Sequence, residues 1–151
     1  MRDSDFIAIR PWLWATDIGM LAYWGMTIAN GLGWIHIPPA WLYSDALNPV
    51  VVDWNWSFLP IDLAFSFCGL GAAVAFHRRS VSWKPLLLAS LGLTFCAGFM
   101  ALSFWGVRCE FDLTWWVLNA YLVLFPSVFL LRFASRGVMQ EPREPVSTPS
   151  A

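Results

Sequence analysis

Four apolar stretches, at about residues 11–34, 51–76, 85–107 and 113–132, leave this chain few ways to fold. Each approaches or exceeds the roughly 20 residues that a helix needs to cross a bilayer. Lipid offers no hydrogen bonds to the backbone, so a spanning segment must satisfy its own N–H and C=O groups, as a helix does. None of the four stretches alternates with a period of two, so a barrel is excluded. The expected fold is all-α: an integral membrane four-helix bundle in a single domain over residues 1–136. A short polar lead over residues 1–10 precedes it, and a Pro-, Ser- and Thr-bearing tail over residues 137–151 is expected to be disordered.

Composition agrees with this reading. Only 13% of the residues are charged and 58% are hydrophobic, whereas a soluble domain carries about 25% charged residues. The first stretch is too long for a signal peptide, contains Asp17 and lacks a small-x-small cleavage site, so it reads as a retained helix. Arg2 and Arg10 precede the first helix, Arg78, Arg79 and Lys84 separate the second and third, and Arg132, Arg136 and Arg143 follow the fourth. Only Arg108 falls on the other side, so the positive-inside rule predicts that both termini are cytoplasmic. No basic cluster interleaved with aromatics is present, and no nucleic acid partner is expected. Cys68, Cys96 and Cys109 form no CxxC pair, and His36 and His77 fall on opposite faces in this topology, so neither a metal nor a cofactor is expected.

Two carboxyl groups break the apolar runs. Asp17 lies in the first helix and Asp62 in the second. A carboxylate at the centre of a bilayer costs roughly 2.5 to 3.5 kcal/mol on insertion scales and usually faces a bundle interior or a cavity. The other polar and small residues follow helical spacing. They are Asp17, Trp24, Thr27 and Gly31 on the first helix, and Asn55, Asp62, Ser66 and Gly69 on the second. Ser90, Thr94, Ala97, Ala101, Trp105 and Arg108 mark the third, and Asp112, Trp115, Asn119 and Pro126 the fourth. Residues three, four and seven apart share a face, so each helix turns one such face inward. Small and hydroxyl residues also serve close helix packing, but packing needs no ionisable group. Pro60 and Pro126 are expected to kink their helices by freeing the carbonyls of Trp56 and Leu122, opening space near Asp62.

Eleven tryptophans complete the pattern. Trp12, Trp14 and Trp83 read as anchors at the cytoplasmic interface, while Trp34, Trp41, Trp54, Trp56, Trp105, Trp115 and Trp116 crowd the other end. That end also carries Asp53, Arg108, Glu110 and Asp112, of which Arg108 and Glu110 read as an ion pair and Asp112 as a helix cap. An aromatic cup edged with carboxylates suits a greasy ligand that carries or develops positive charge. A cavity walled by Trp24, Trp54, Trp56, Trp105 and Trp116 and opening to the non-cytoplasmic side is therefore expected.

Three strings carry a resemblance: Thr16-Asp17-Ile18-Gly19, Asp53-Trp54-Asn55-Trp56-Ser57-Phe58-Leu59-Pro60-Ile61-Asp62-Leu63, and Cys109-Glu110-Phe111-Asp112-Leu113-Thr114-Trp115-Trp116. They resemble the YvaD-type family of small bacterial membrane proteins over roughly residues 12–132. The resemblance implies a four-helix membrane fold in the bacterial inner (cell) membrane and brings no settled activity. The four helices, the Pro39-Ala40-Trp41-Leu42-Tyr43 loop and the two acids are also similar in architecture to sterol-isomerase and sigma-2-receptor bundles. Membrane-bound terpene cyclases similarly set buried carboxylates among aromatics. No residue roles come from either likeness.

The function expected first is acid-catalysed isomerisation or cyclisation of a lipophilic isoprenoid or sterol-like molecule drawn from the bilayer. Burial disfavours the charged form of a carboxyl, so Asp62 or Asp17 is the expected general acid, with Asp112 or Asp53 taking the final proton. Trp54, Trp56, Trp105, Trp115 and Trp116 are the expected cation-stabilising wall, with Trp24 beside them and Asn55 and Asn119 as orienting groups. One alternative is a small proton-coupled transporter or binder of lipophilic cations, similar to the small multidrug exporters, in which a homodimer shares the carboxylates. Another is an accessory subunit whose polar faces meet other membrane proteins.

Overall fold

The computed structural model describes residues 3–43 and 45–138. Among them every regular element is helical. They are α1 (Asp3–Gly31), a short 3₁₀ turn (Pro39–Trp41), α2 (Pro49–Ser57), α3 (Leu59–His77), α4 (Trp83–Val107) and α5 (Leu113–Val138). Helices α2 and α3 follow one another with only Phe58 between them and together make one long element, so the bundle has four. Three of these, Pro49–His77, Trp83–Val107 and Leu113–Ser135, are long and apolar enough to cross a membrane.

Helix α1 corrects the expected start at residue 11. It begins at Asp3 and passes through Pro11. Two acids in its first turn, Asp3 and Asp5, complement the positive end of the helix dipole. Phe6, Ile9 and Leu13 are spaced to form one face and are wholly buried. Phe6 stacks on Phe76 with ring centroids 4.3 Å apart and meets the edge of Trp83 at 5.4 Å. That contact also corrects the reading of Trp83 as an interfacial anchor, because the ring is buried under Phe6. Trp12 and Trp14 are exposed, as an interfacial position requires.

The second long element is interrupted at Phe58, two residues before Pro60, where the kink was expected. Asn48 caps α2 by accepting from the Val50 N–H at 3.1 Å, with Pro49 following as the first helical residue. At Phe58 the helix closes with a Phe58 N–H to Asn55 C=O bond of 3.1 Å, and α3 restarts at Leu59 with Pro60 in its first turn. An N–H in a first turn has no helical acceptor anyway, so proline fits there. The other ends also differ from the sequence reading: α4 starts at Trp83, and α5 continues to Val138. The expected tail, beyond Val138, lies outside the described residues.

The helices alternate in direction and form a ring in which α1 packs on α3, α3 on α4, α4 on α5, and α5 returns thinly to α1. Close approach depends on small residues. A Cβ built on Gly98 of α4 would lie 2.8 Å from the Asn119 carbonyl oxygen and from the Leu122 Cβ of α5. A Cβ on Gly69 of α3 would overlap the Asp17 carboxyl of α1. One half of the bundle, at the end holding Asp3, Val138 and the α3–α4 turn, is filled by Phe6, Ile9, Leu13, Leu87, Leu91 and Phe125. The other half ends in the residue 32–48 loop, α2 and the α4–α5 turn, and it holds the polar residues.

Candidate functional site

The inward faces expected of the first three helices are found except at two ends, where Gly31 is exposed and Arg108 half-buried. Asp17, Trp24 and Thr27 of α1, Asn55 of α2, Asp62 and Ser66 of α3, and Ser90, Thr94, Ala97, Ala101 and Trp105 of α4 are all buried. Between them and α5 lies a cavity of about 320 Å³, within the size range of small-molecule sites. It is walled by Trp54, Trp105 and Trp115, with Phe58, Ala97, Ala101 and Leu118 adding apolar surface. Asp62, Asn55, Asn119 and Thr16 supply polar groups. All three tyrosines of the chain, Tyr23, Tyr43 and Tyr121, also reach this wall.

Each polar group is held by a neighbour. The Trp24 indole N–H donates to Asp62 Oδ2 at 2.9 Å, a buried bond from α1 to α3. The Tyr23 phenol donates to Asn55 Oδ1 at 2.8 Å. The Asn55 amide nitrogen is buried and has no acceptor among the described residues, and the side chain as a whole is only 8% exposed. Asn119 spends an amide hydrogen on the Trp115 carbonyl at 2.8 Å. Above the cavity, Tyr43 packs edge-on to Trp115 at 6.3 Å, and burial pushes its phenol pKa up. Leu122, whose carbonyl loses its helical donor at Pro126, is part of the wall.

The other expected site residues lie elsewhere. Asp17 is 1% exposed but does not reach the cavity; its carboxyl faces Gly69 and has no hydrogen-bond partner among the described residues. Trp24 stands behind Asp62 as its donor instead of lining the wall. Trp56 packs against Trp24 at 5.6 Å and covers Gly31, and Trp116 donates to the Glu110 carbonyl at 3.1 Å beside Phe111. Asp53 is exposed on α2. Asp112 accepts from the Trp115 N–H at 3.0 Å, as a cap at the start of α5 does. Arg108 pairs with Glu110 at 2.7 Å and also with Asp45 at 3.2 Å, tying the α4–α5 turn to the loop after α1.

The tyrosines and Phe58 are among the wall residues that the sequence reading missed, with Thr16, Met20 and Leu118. Tyr23 adjoins Trp24 and Tyr121 lies two residues after Asn119, so both sit off the faces that polar spacing marks. Their sparseness was the available signal, since every tyrosine falls in one place.

The model of a family of unknown function, DUF5360, matches residues 9–140. The chain is 39% identical over 122 residues to the uncharacterized protein YvaD of Bacillus subtilis, covering 81% of this chain and 88% of that protein. The resemblance read from the three strings is thereby borne out. No solved structure matches.

Proposed function

Because the chain belongs to the DUF5360 family, and that membership brings no activity with it, we propose a function from the geometry of the cavity. The protein sits in the bacterial cell membrane with both termini cytoplasmic, and it binds a lipophilic isoprenoid or sterol-like molecule between its helices. There Asp62 protonates a double bond of the ligand as general acid, and its carboxylate then takes a proton back from a carbon beside the resulting cation, so that an isomerisation or cyclisation leaves the acid regenerated. The observation that carries this reading is the position of Asp62. It is the carboxyl in a wall otherwise made of aromatic, aliphatic and neutral polar groups, and Trp24 fixes one of its oxygens. Among the described residues no lysine, arginine or histidine stands in that wall to neutralise a carboxylate. Burying an unpaired charge is costly, and a protonated acid avoids the cost while holding a transferable proton. Trp54, Trp105 and Trp115 surround the same space with π faces, which favour a developing cation.

Incubating wild-type and Asp62→Asn protein with a bacterial neutral-lipid extract tests the reading. Loss of the proton should lower conversion by roughly 10² to 10⁴, the usual contribution of general acid–base catalysis. A fully active Asp62→Asn protein would remove the acid from the mechanism.

A proton-coupled binder of lipophilic cations is the second reading. It draws on the same carboxyl and on Asp17, which the enzyme reading leaves unused. It predicts that an aromatic cation binds in a pH-dependent way and that Asp62→Asn abolishes the dependence.

A further inference from the structure

The thin seam between α1 and α5 has a feature that the cavity alone does not explain. Tyr121 bridges it, through the Thr16 hydroxyl at 2.9 Å and a long contact to the Trp12 carbonyl at 3.5 Å. Tyr121 also belongs to two walls. It lines the cavity of Asp62 and Asn55, and it lines a groove of about 580 Å³ on the outer side of α5. Trp12, Val117, Leu124, Phe125 and Val128 form most of that groove, whose single polar side chain besides the Trp12 indole is the Tyr121 phenol. Val117, Leu124 and Val128 are exposed, on the least buried of the three apolar spans.

We propose that the groove is the tail subsite for the cavity's ligand, and that the ligand is a neutral long-chain lipid alcohol. Its hydroxyl sits at Asn55 and Asp62, and its hydrocarbon chain crosses the seam beside Tyr121 and lies along α5. The proposal rests on the cavity reading above and adds the head group and the route.

Two observations select the head group. Asn55 lines the cavity and its amide nitrogen, buried at the wall, has no acceptor among the described residues, so a ligand oxygen that accepts would satisfy it. A hydroxyl does this and keeps its own hydrogen for a second bond in the same polar wall. A phosphate or diphosphate is disfavoured, because the wall holds a carboxyl and no basic residue.

The route follows from what closes the other directions. Below the polar layer the bundle is filled by Phe6, Ile9, Leu13, Leu87 and Leu91. At the upper end Tyr43, Val51 and Trp105 pack together, and Arg108 pairs with Glu110 and Asp45 at the same end. A cavity of about 320 Å³ is at the small end for ligand sites, so a long chain must continue outside it. The seam at Tyr121 leads to an apolar groove.

Two photoreactive farnesol analogues test this, one carrying a diazirine beside the hydroxyl and one at the far end of the chain. Adducts on the purified full-length protein are mapped by mass spectrometry. The head probe is expected to label the Trp54, Asn55 and Trp105 region, and the tail probe the Val117, Leu124 and Val128 strip. Excess farnesol should remove both signals and farnesyl diphosphate should remove neither. Filling the cavity with Ala101→Trp should abolish groove labelling as well as cavity labelling.

Groove labelling that survives excess farnesol would mark bulk lipid contact and overturn the proposal. So would cross-linking of two copies through Leu124→Cys, which would give the groove to a second chain. Cavity labelling by both probes would sink the tail subsite while leaving the cavity reading standing. Absence of cavity labelling by either probe would sink both. Competition by the diphosphate equal to that by farnesol would overturn the head-group assignment.

Discussion

Asp17 and Asp62 carry the same side chain in opposite situations. Asp62, 5% exposed, has an indole donor and a place in the cavity wall. Asp17 is pressed on the α3 backbone at Gly69 and has no hydrogen-bond partner among the described residues, and the buried hydroxyls of Ser66 and Ser90 share that lack. That both acids face inward was legible in the sequence, because an ionisable group in an apolar run has nowhere else to go. Which of them reaches open space was not legible, because that depends on how α1 sits on α3. Gly69→Ala should therefore lower stability by about 1 to 3 kcal/mol, the usual cost of overpacking. Adding Asp17→Ala should recover part of the loss, since the two positions touch. Thermal unfolding of the two single variants and the double variant in detergent measures this, and strictly additive losses would contradict the contact. Trp24→Phe removes the donor to Asp62 and should cost about 1 to 3 kcal/mol through the acceptor left unpaired.

At the scale of elements, apolar length located the helices and local chemistry displaced their ends. The lead before residue 11 carries polar residues, yet Phe6 and Ile9 bury against Phe76 and Trp83 and draw it into α1. Two helix ends were legible to within a residue, 76 against His77 and 107 against Val107, although the left-handed position that closes each is not a glycine. After α3, Arg79 takes φ 52° and Ser80 N–H bonds back to Ala75; after α4, Cys109 takes φ 54° and Glu110 N–H bonds back to Trp105. Only after α1 does a glycine, Gly33 at φ 74°, serve the same closure. A non-glycine residue pays roughly 1 to 2 kcal/mol in that conformation. Cys109→Gly should raise stability by up to about 1 kcal/mol, less than the full strain because glycine also loosens the unfolded chain. Pro60 makes the complementary case. In the interior of a helix its replacement would restore a hydrogen bond, but in the first turn of α3 it blocks none. Pro60→Ala should shift the unfolding midpoint little, whereas a large gain would mean that the break at Phe58 is a strained kink.

For the whole molecule, the all-α four-helix arrangement was legible from the four apolar lengths, although among the described residues only three of them are long and apolar enough to cross a membrane, and the aromatic crowding pointed to the half of the bundle that holds the cavity. The assignment of individual tryptophans was not legible. Trp54, Trp105 and Trp115 reach the cavity while Trp24, Trp56 and Trp116 pack around it, a division set by helix rotation and by the break at Phe58. Orientation in the membrane can be tested at two positions that are each 81% exposed, Val81 in the α3–α4 turn and Trp41 in the loop after α1. In a cysteine-free background, Val81→Cys should react with a membrane-impermeant maleimide only after the cells are opened, and Trp41→Cys in intact cells; the reverse pattern would invert the topology. The central claim, that the cavity is a ligand site, is tested most directly by native mass spectrometry of the purified protein. Wild type should carry a non-bilayer lipophilic molecule that Ala97→Trp, which fills the cavity and leaves Asp62 itself unchanged, releases while the protein stays folded by circular dichroism. An identical lipid complement on wild type and the filled variant would show that the space between the helices holds nothing, and would contradict the account.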